Sequence, residues 1–269
     1  MLSSEATLLL AALLGLIIGS FVNLVVDRLP VMLQRQWDHE QGGGQAERFD
    51  LIAPPSHCLQ CGTRLSIVEL IPVLSWLAQR GRCRHCSTPI GLRTLCVEAG
   101  LGLMFGLAVW HFGPSLEAVA AWVLLSVLLA LAVIDLETRI LPDRLTLPLL
   151  WIGLIFNLSG LFASLEAAVA GAIAGYLSLW SINTIYRLIA GREGMGYGDF
   201  KLFAALGAWF GWSMLPVILI AASSAGALFG LAALGLNRQR ADQAIAFGPW
   251  LALAALPALF GLLPSGIIP

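Results

Sequence analysis

Apolar residues arrive in long unbroken runs, with neither the alternation of a strand nor the one-sided stripe of a soluble helix. A helix needs about 20 apolar residues to cross the hydrocarbon core of a bilayer. Runs at 6–27, 95–112, 117–135, 145–162, 165–186, 200–211, 213–236 and 246–264 predict eight spans, with seven as the fallback because 200–211 is short. The pattern gives an all-α polytopic membrane protein of about eight transmembrane helices. Met1–Thr7 holds no basic residue, and the first run is too long for a signal peptide, so it reads as a span.

One polar stretch interrupts the runs. The chain divides on this reading into a first transmembrane helix at 1–28, a small cytoplasmic insert at 29–94, and a transmembrane helical bundle at 95–269. Proline at Arg28-Leu29-Pro30 predicts the end of the first helix. Gln41-Gly42-Gly43-Gly44-Gln45 reads as a flexible insert. No internal repeat stands out. Gly171, Gly175 and Ser178, and likewise Ser223, Gly226 and Gly230, form small-residue stripes that suit close helix packing, with a homodimer face as the less favoured use.

Composition agrees: 58% of residues are hydrophobic, 12% are charged and the mean hydropathy is +0.85. The net charge of -1 argues against nucleic acid as a partner. Membrane lipid is the partner the runs themselves require. Basic residues favour cytoplasmic loops. All 15 fall on alternate connections, from Arg28 to Arg93, at Arg139 and Arg144, at Arg187, Arg192 and Lys201, and at Arg238 and Arg240. Both termini are thereby placed outside, and Asp135 and Asp199 on the cytoplasmic side.

Cys58-Leu59-Gln60-Cys61 and Cys83-Arg84-His85-Cys86 are two CxxC pairs. Each pair can put two thiolates on one ion, and together they complete a tetrahedral zinc site with no open position, hence a structural one. A reducing compartment favours zinc over redox pairs, the alternative. His57 and His85 adjoin these ligands and read as surface histidines, while Cys96 reads as a buried small residue.

Asp135 and Asp199 stand where apolar runs meet charge, and ionisable groups at such places are functional candidates. Two carboxylates that share a proton can activate a water between them. The plain alternatives are an Asp135–Arg139 pair one helical turn apart and a helix N-cap at Asp199. Gly194, Gly196 and Gly198 lead into Asp199 and allow close backbone approach. Lys201 reads as its charge partner or as a boundary residue. Asp38, Glu40, Glu47, Asp50 and Glu69 read as a solvated loop surface that could also attract a basic peptide.

Taken together the residues resemble the type IV prepilin peptidases, bifunctional leader peptidase/N-methyltransferases. The similarity includes Gly19-Ser20-Phe21-Val22-Asn23, Arg28-Leu29-Pro30, both CxxC pairs and Ile71-Pro72-Val73-Leu74-Ser75-Trp76-Leu77. It continues through Arg80-Gly81-Arg82-Cys83-Arg84, Val97-Glu98, Ile134-Asp135, Leu141-Pro142-Asp143, the GxGD motif at Gly196–Asp199 and Phe247-Gly248-Pro249. The resemblance implies a GxGD-type aspartic protease of the bacterial inner membrane with Asp135 and Asp199 as its catalytic pair. Its substrates would be prepilins or pseudopilins of type IV pilus or type II secretion systems, cut at the cytoplasmic face. It also implies N-methylation of the new terminus with S-adenosylmethionine as donor. No residue declares the donor site, and the zinc-carrying segment is its natural candidate. The chain departs from many relatives at Ser66-Ile67-Val68-Glu69-Leu70 and at Arg93-Thr94-Leu95-Cys96, which bears on methyl transfer more than on proteolysis. The competing readings are a peptidase without methyl transfer and a non-catalytic membrane scaffold with a zinc knuckle.

Overall fold

The computed structural model describes residues 4–42, 48–192, 194–235 and 246–262. Glu47, Arg238, Arg240 and the glycines at 43 and 44 lie outside the described residues. The helices are α1 (Ser4–Glu40), α2 (Leu74–Ala78), α3 (Leu92–Phe112), α4 (Leu116–Thr138), α5 (Asp143–Phe156), α6 (Leu165–Ala190), α7 (Tyr197–Phe210), α8 (Leu215–Gly235) and α9 (Gly248–Leu259). No strand occurs among the described residues. The chain is a multi-pass membrane protein. Among the described residues, five helical segments are long and apolar enough to cross: α1, α3, α4, α6, and Trp212–Gly235, which contains α8.

The remaining apolar helices are shorter than their sequence runs. α5 and α7 have 14 residues each, about 21 Å at 1.5 Å per residue, and α9 has 12. Asn157 explains the early end of α5. Its side-chain amide donates to the carbonyls of Ala208 and Trp209, and its Oδ1 accepts from the N–H groups of Phe162 and Ala163. A buried amide with four partners folds residues 157–163 back into a loop, and the run to 162 is not one helix.

The chain divides into two compact units, one ending at Ala130 and the other starting at Leu131. In the first, α1 packs along α3 so closely that a Cβ at Gly15 would stand 2.4 Å from the Leu101 carbonyl oxygen. α1 also runs ten residues past Pro30, against the expectation that proline would stop it. The far side is tied down: buried Arg28 donates to the carbonyl oxygens of Asp50 and Pro54, and Arg35 stacks 4.3 Å over Phe49. Pairs at four-residue spacing, Gln34 to Asp38 and Gln36 to Glu40, continue the helix. Cys96, expected to be buried, is exposed on α3.

In the second unit α7 is the core. From Leu202 to Phe210 every side chain is buried, and α5, α6, α8 and α9 pack around it. The Gly171 stripe serves this packing, because a Cβ at Gly171 would stand 2.4 Å from the Gly207 carbonyl oxygen. Gly153 makes room for Trp209, whose indole N–H donates to the Leu149 carbonyl at 2.9 Å.

Candidate active site and four-cysteine centre

Asp135 lies in the last turn of α4, which ends where Arg139 takes a positive φ of 57°. The residue is 5% exposed, and its Oδ2 accepts the Gly248 N–H at 2.9 Å. That N–H is available because α9 begins at Gly248, where the first amides of a helix lack partners within it. Glycine is needed there: a Cβ would stand 2.7 Å from Asp135 Oδ2 and 3.1 Å from Leu141.

Asp199 is the third residue of α7 and is buried as well. Gly198 beside it packs against Leu141, where a Cβ would come within 2.6 Å. Leu141 therefore wedges between the glycine that touches Asp135 and the glycine that precedes Asp199. Asp135 is close enough to act electrostatically on Asp199. Asp199 Oδ1 is buried with no hydrogen-bond partner among the described residues.

The neighbouring charges are otherwise engaged. Lys201 makes a two-oxygen ion pair with Asp143, with both N–O distances at 2.7 Å. Arg139 approaches Asp135 through the backbone, its N–H donating to the Asp135 carbonyl at 2.9 Å. Sequence reasoning missed Asn183. This buried residue of α6 accepts the N–H groups of Gly194 and Met195 at 3.0 and 3.1 Å, fixing the loop that delivers Asp199. An amide inside an apolar run, Asn183 in Trp180–Ile185, was the available signal.

The four cysteine sulfurs converge, all within 4.8 Å of one another, with Cys58 and Cys86 sulfurs 3.7 Å apart. Zinc–sulfur bonds of about 2.3 Å require sulfurs about 3.8 Å apart in a tetrahedron. The donor set fits one zinc ion. The two halves also repeat, which the sequence reading missed. In each, the first cysteine N–H donates to a threonine carbonyl five residues on, Thr63 or Thr88. In each, the first cysteine's carbonyl accepts from the residue after the second cysteine, Gly62 or Ser87, both at positive φ. The signal was Cys-x-x-Cys-x-Thr occurring twice. The Thr88 hydroxyl lies 3.2 Å from Cys86 Sγ, and with the Thr88 N–H it pulls that thiol down to about 6. Thr63 lowers Cys61 in the same way. Both shifts favour the thiolate, the form that binds metal.

Beside this centre a cavity of about 580 Å³ is lined by Glu69, Ser75, Gln79 and Cys83 among others. The Ser66 hydroxyl and N–H hold the Glu69 carboxyl below the usual range through Oε2. Oε1 is buried without a hydrogen bond among the described residues and lies 3.7 Å from His85 Nε2.

A polytopic helical membrane protein with two buried aspartates packed about Leu141 and four converging cysteines is the class this arrangement defines. Comparison with known proteins agrees. Residues 122–231 match the type IV leader peptidase family, and residues 13–112 match the bacterial peptidase A24 N-terminal domain. A prepilin leader peptidase/N-methyltransferase of Burkholderia pseudomallei is 50% identical over 259 residues, covering 93% of this chain and 84% of that one. Proteins of the same name from Stutzerimonas stutzeri and Pseudomonas aeruginosa are 46% and 45% identical, each covering 94% of this chain and 90% of its own. No solved structure matches. The chain belongs to the type IV leader peptidase family.

Proposed function

We propose that the protein is a membrane aspartic endopeptidase that removes the leader peptide of prepilins or pseudopilins and N-methylates the residue thereby exposed. The observation that carries proteolysis is the pairing of Asp135 and Asp199 about Leu141, each buried and each next to a glycine that admits close approach. Like charges so close cannot both ionise readily, and one proton is shared. The Gly248 N–H supports the anion on Asp135, and Asp199 Oδ1, lacking a donor, is the place for the proton.

Asp135 takes a proton from water as its oxygen bonds to the scissile carbonyl carbon. The Asp199 proton goes to the carbonyl oxygen. The tetrahedral gem-diol then collapses: the C–N bond breaks, Asp135 gives its proton to the leaving amine, and a gem-diol hydroxyl returns one to Asp199 as the new carboxyl forms. The bond cut is that after the leader's terminal glycine, as the family resemblance implies.

Cys58, Cys61, Cys83 and Cys86 would hold a structural zinc ion, which supplies a closed four-thiolate clip for a segment with few buried apolar residues. S-adenosylmethionine, when bound, supplies an electrophilic methyl carbon to the new amine. The cavity beside the zinc centre is the candidate donor site: Glu69, whose Oε1 lies 3.7 Å from His85 Nε2, would meet its ammonium, Arg84 its carboxylate, and Ser75 and Gln79 offer further hydrogen bonds. On this reading 29–94 serves zinc and methyl transfer, and the bundle 95–269 serves proteolysis. The distribution of basic residues supports a bacterial inner-membrane orientation with the site cytoplasmic and both termini periplasmic.

The test is cleavage of a synthetic precursor by purified protein in detergent, with and without S-adenosylmethionine, followed by mass spectrometry. Wild type should yield the mature fragment plus one methyl group. Asp135→Asn and Asp199→Asn should each abolish cleavage while the protein stays folded. Cleavage surviving in either variant would sink the paired-carboxylate reading, and cleavage without the methyl group would leave a peptidase alone.

A further inference from the structure

The segment joining the two cysteine knuckles is built inside out. Ile67 is 86% exposed and Leu74 64%, and Val68, Leu70, Ile71 and Leu77 are exposed beside them. The one carboxylate among them, Glu69, turns inward, its side chain only 6% exposed. Six outward apolar side chains around an inward carboxylate suit a nonpolar surrounding, not water.

Its depth follows from one hydrogen bond. The Val73 N–H donates to Glu98 Oε2 at 2.7 Å. Glu98 lies six residues beyond the first residue of α3, about 9 Å along the axis. The polar marks of the helix come earlier: Arg93 pairs with Asp27 at 2.5 Å, and Asn23 donates to the Thr94 carbonyl. α3 has 21 residues, about 31 Å, which barely matches a hydrocarbon core of about 30 Å. A turn fastened at Glu98 therefore sits about 9 Å inside the start of α3, in the outer part of the leaflet.

The backbone is equipped for that place. Nonpolar surroundings require each peptide group to find a partner within the protein. Glu69, Ile71, Leu74, Ser75 and Leu77 donate to Ser66, Val68, Pro72, Ile71 and Val73 carbonyls, and Pro72 has no N–H to satisfy. Val73 adopts a φ of 62°, strained for a branched side chain, and Glu98 holds it there. Arg80 and Arg82 follow directly, exposed and without hydrogen bonds or ion pairs from their guanidinium groups among the described residues. Their charge suits lipid phosphate.

We propose that Ile67–Leu77 is an interfacial anchor seated in the bilayer leaflet on the side of the four-cysteine centre. Its partner is phospholipid: acyl chains meet the six apolar side chains, and anionic headgroups meet Arg80 and Arg82. The anchor fixes the four-cysteine segment at a set depth against the membrane.

The test uses the full chain in lipid nanodiscs, carrying a nitroxide on a genetically encoded amino acid so that the thiolates stay untouched. Labels go at Leu74 and, as a control, at Leu59, which is 92% exposed on the first knuckle. Collisions are read with oxygen, which concentrates in hydrocarbon, and with a water-soluble nickel chelate. The Leu74 label should favour oxygen and lose nickel contact, with the reverse at Leu59. A label at Ile67 should repeat the Leu74 reading if the first variant folds poorly. Nickel contact at Leu74 equal to that at Leu59 would overturn the anchor. Protection from both reagents would also overturn it, placing protein over the face instead. Replacing zwitterionic by anionic lipid should deepen the Leu74 reading, and the pair Arg80→Gln with Arg82→Gln should remove that gain. No lipid dependence in wild type would overturn the headgroup contact.

Discussion

Gly248 carries two duties in a single position: its N–H holds Asp135, and its missing side chain leaves room for that carboxylate. Gly248→Ala should displace the carboxylate by a good fraction of an ångström and lower kcat about 100-fold. KM for the precursor and thermal stability should change little, and steady-state kinetics with a melting curve would separate the two effects. The aspartate pair also sets a pH dependence. Below the lower apparent pKa of the pair both carboxyls are protonated and no base remains; above the upper one both are ionised and no acid remains. kcat should be bell-shaped in pH, and a flat profile would contradict a shared proton. Both aspartates and the four cysteines were legible in the sequence because such residues are rare and conspicuous in apolar surroundings or at ligand spacing. Gly248 was visible only as part of a motif, since its reason for being glycine is a contact 113 residues away.

At the scale of elements, two asparagines decide where helices stop and how loops lie. Asn183→Leu would leave the Gly194 and Met195 amides, which solvent partly reaches, without their acceptor, at a cost of about 0.5–1.5 kcal/mol for each hydrogen bond. A lowered melting temperature together with reduced cleavage is expected, and hydrogen exchange should quicken at residues 194–198. The loop at Asp50 gives a second check. The N–H groups of Ala53 and Ile52, with Arg48, hold its carboxyl down to about 2, below the unfolded value of about 3.9. Its contribution is present above the unfolded pKa and is lost as pH falls through the folded one. Protection factors in 48–54, corrected for the intrinsic exchange rate, should therefore fall on acidification from about pH 4 to 2. Hydropathy alone could not yield the ends of α5 or the continuation of α1 through Pro30. Asn157 ends the one, and Arg28 with the 48–54 loop supports the other, by contacts distant in sequence.

For the molecule as a whole, the proposed zinc is the removable part. Stripping it with a strong chelator should release residues 57–90 to rapid exchange while the long helices keep their protection. Metal analysis should give a single zinc per chain, lost together with Cys58→Ser; full protection without metal would contradict a structural clip. The run pattern was sufficient to show a polytopic helical protein, and insufficient to tell spans from short buried helices. α7 is the case in point, since uniform apolarity signals burial without saying whether lipid or protein does the covering.

That distinction has a consequence for how the protein meets different membranes. A rod about 21 Å long, enclosed by its neighbours, takes its setting from side chains and not from acyl chains. Thicker or thinner bilayers would be absorbed by tilt of the outer helices. Asp199, mounted on the sheltered rod, is insulated from the host's fatty-acid composition, so the proposed catalytic centre can be carried unchanged between cells that adjust their lipids with temperature.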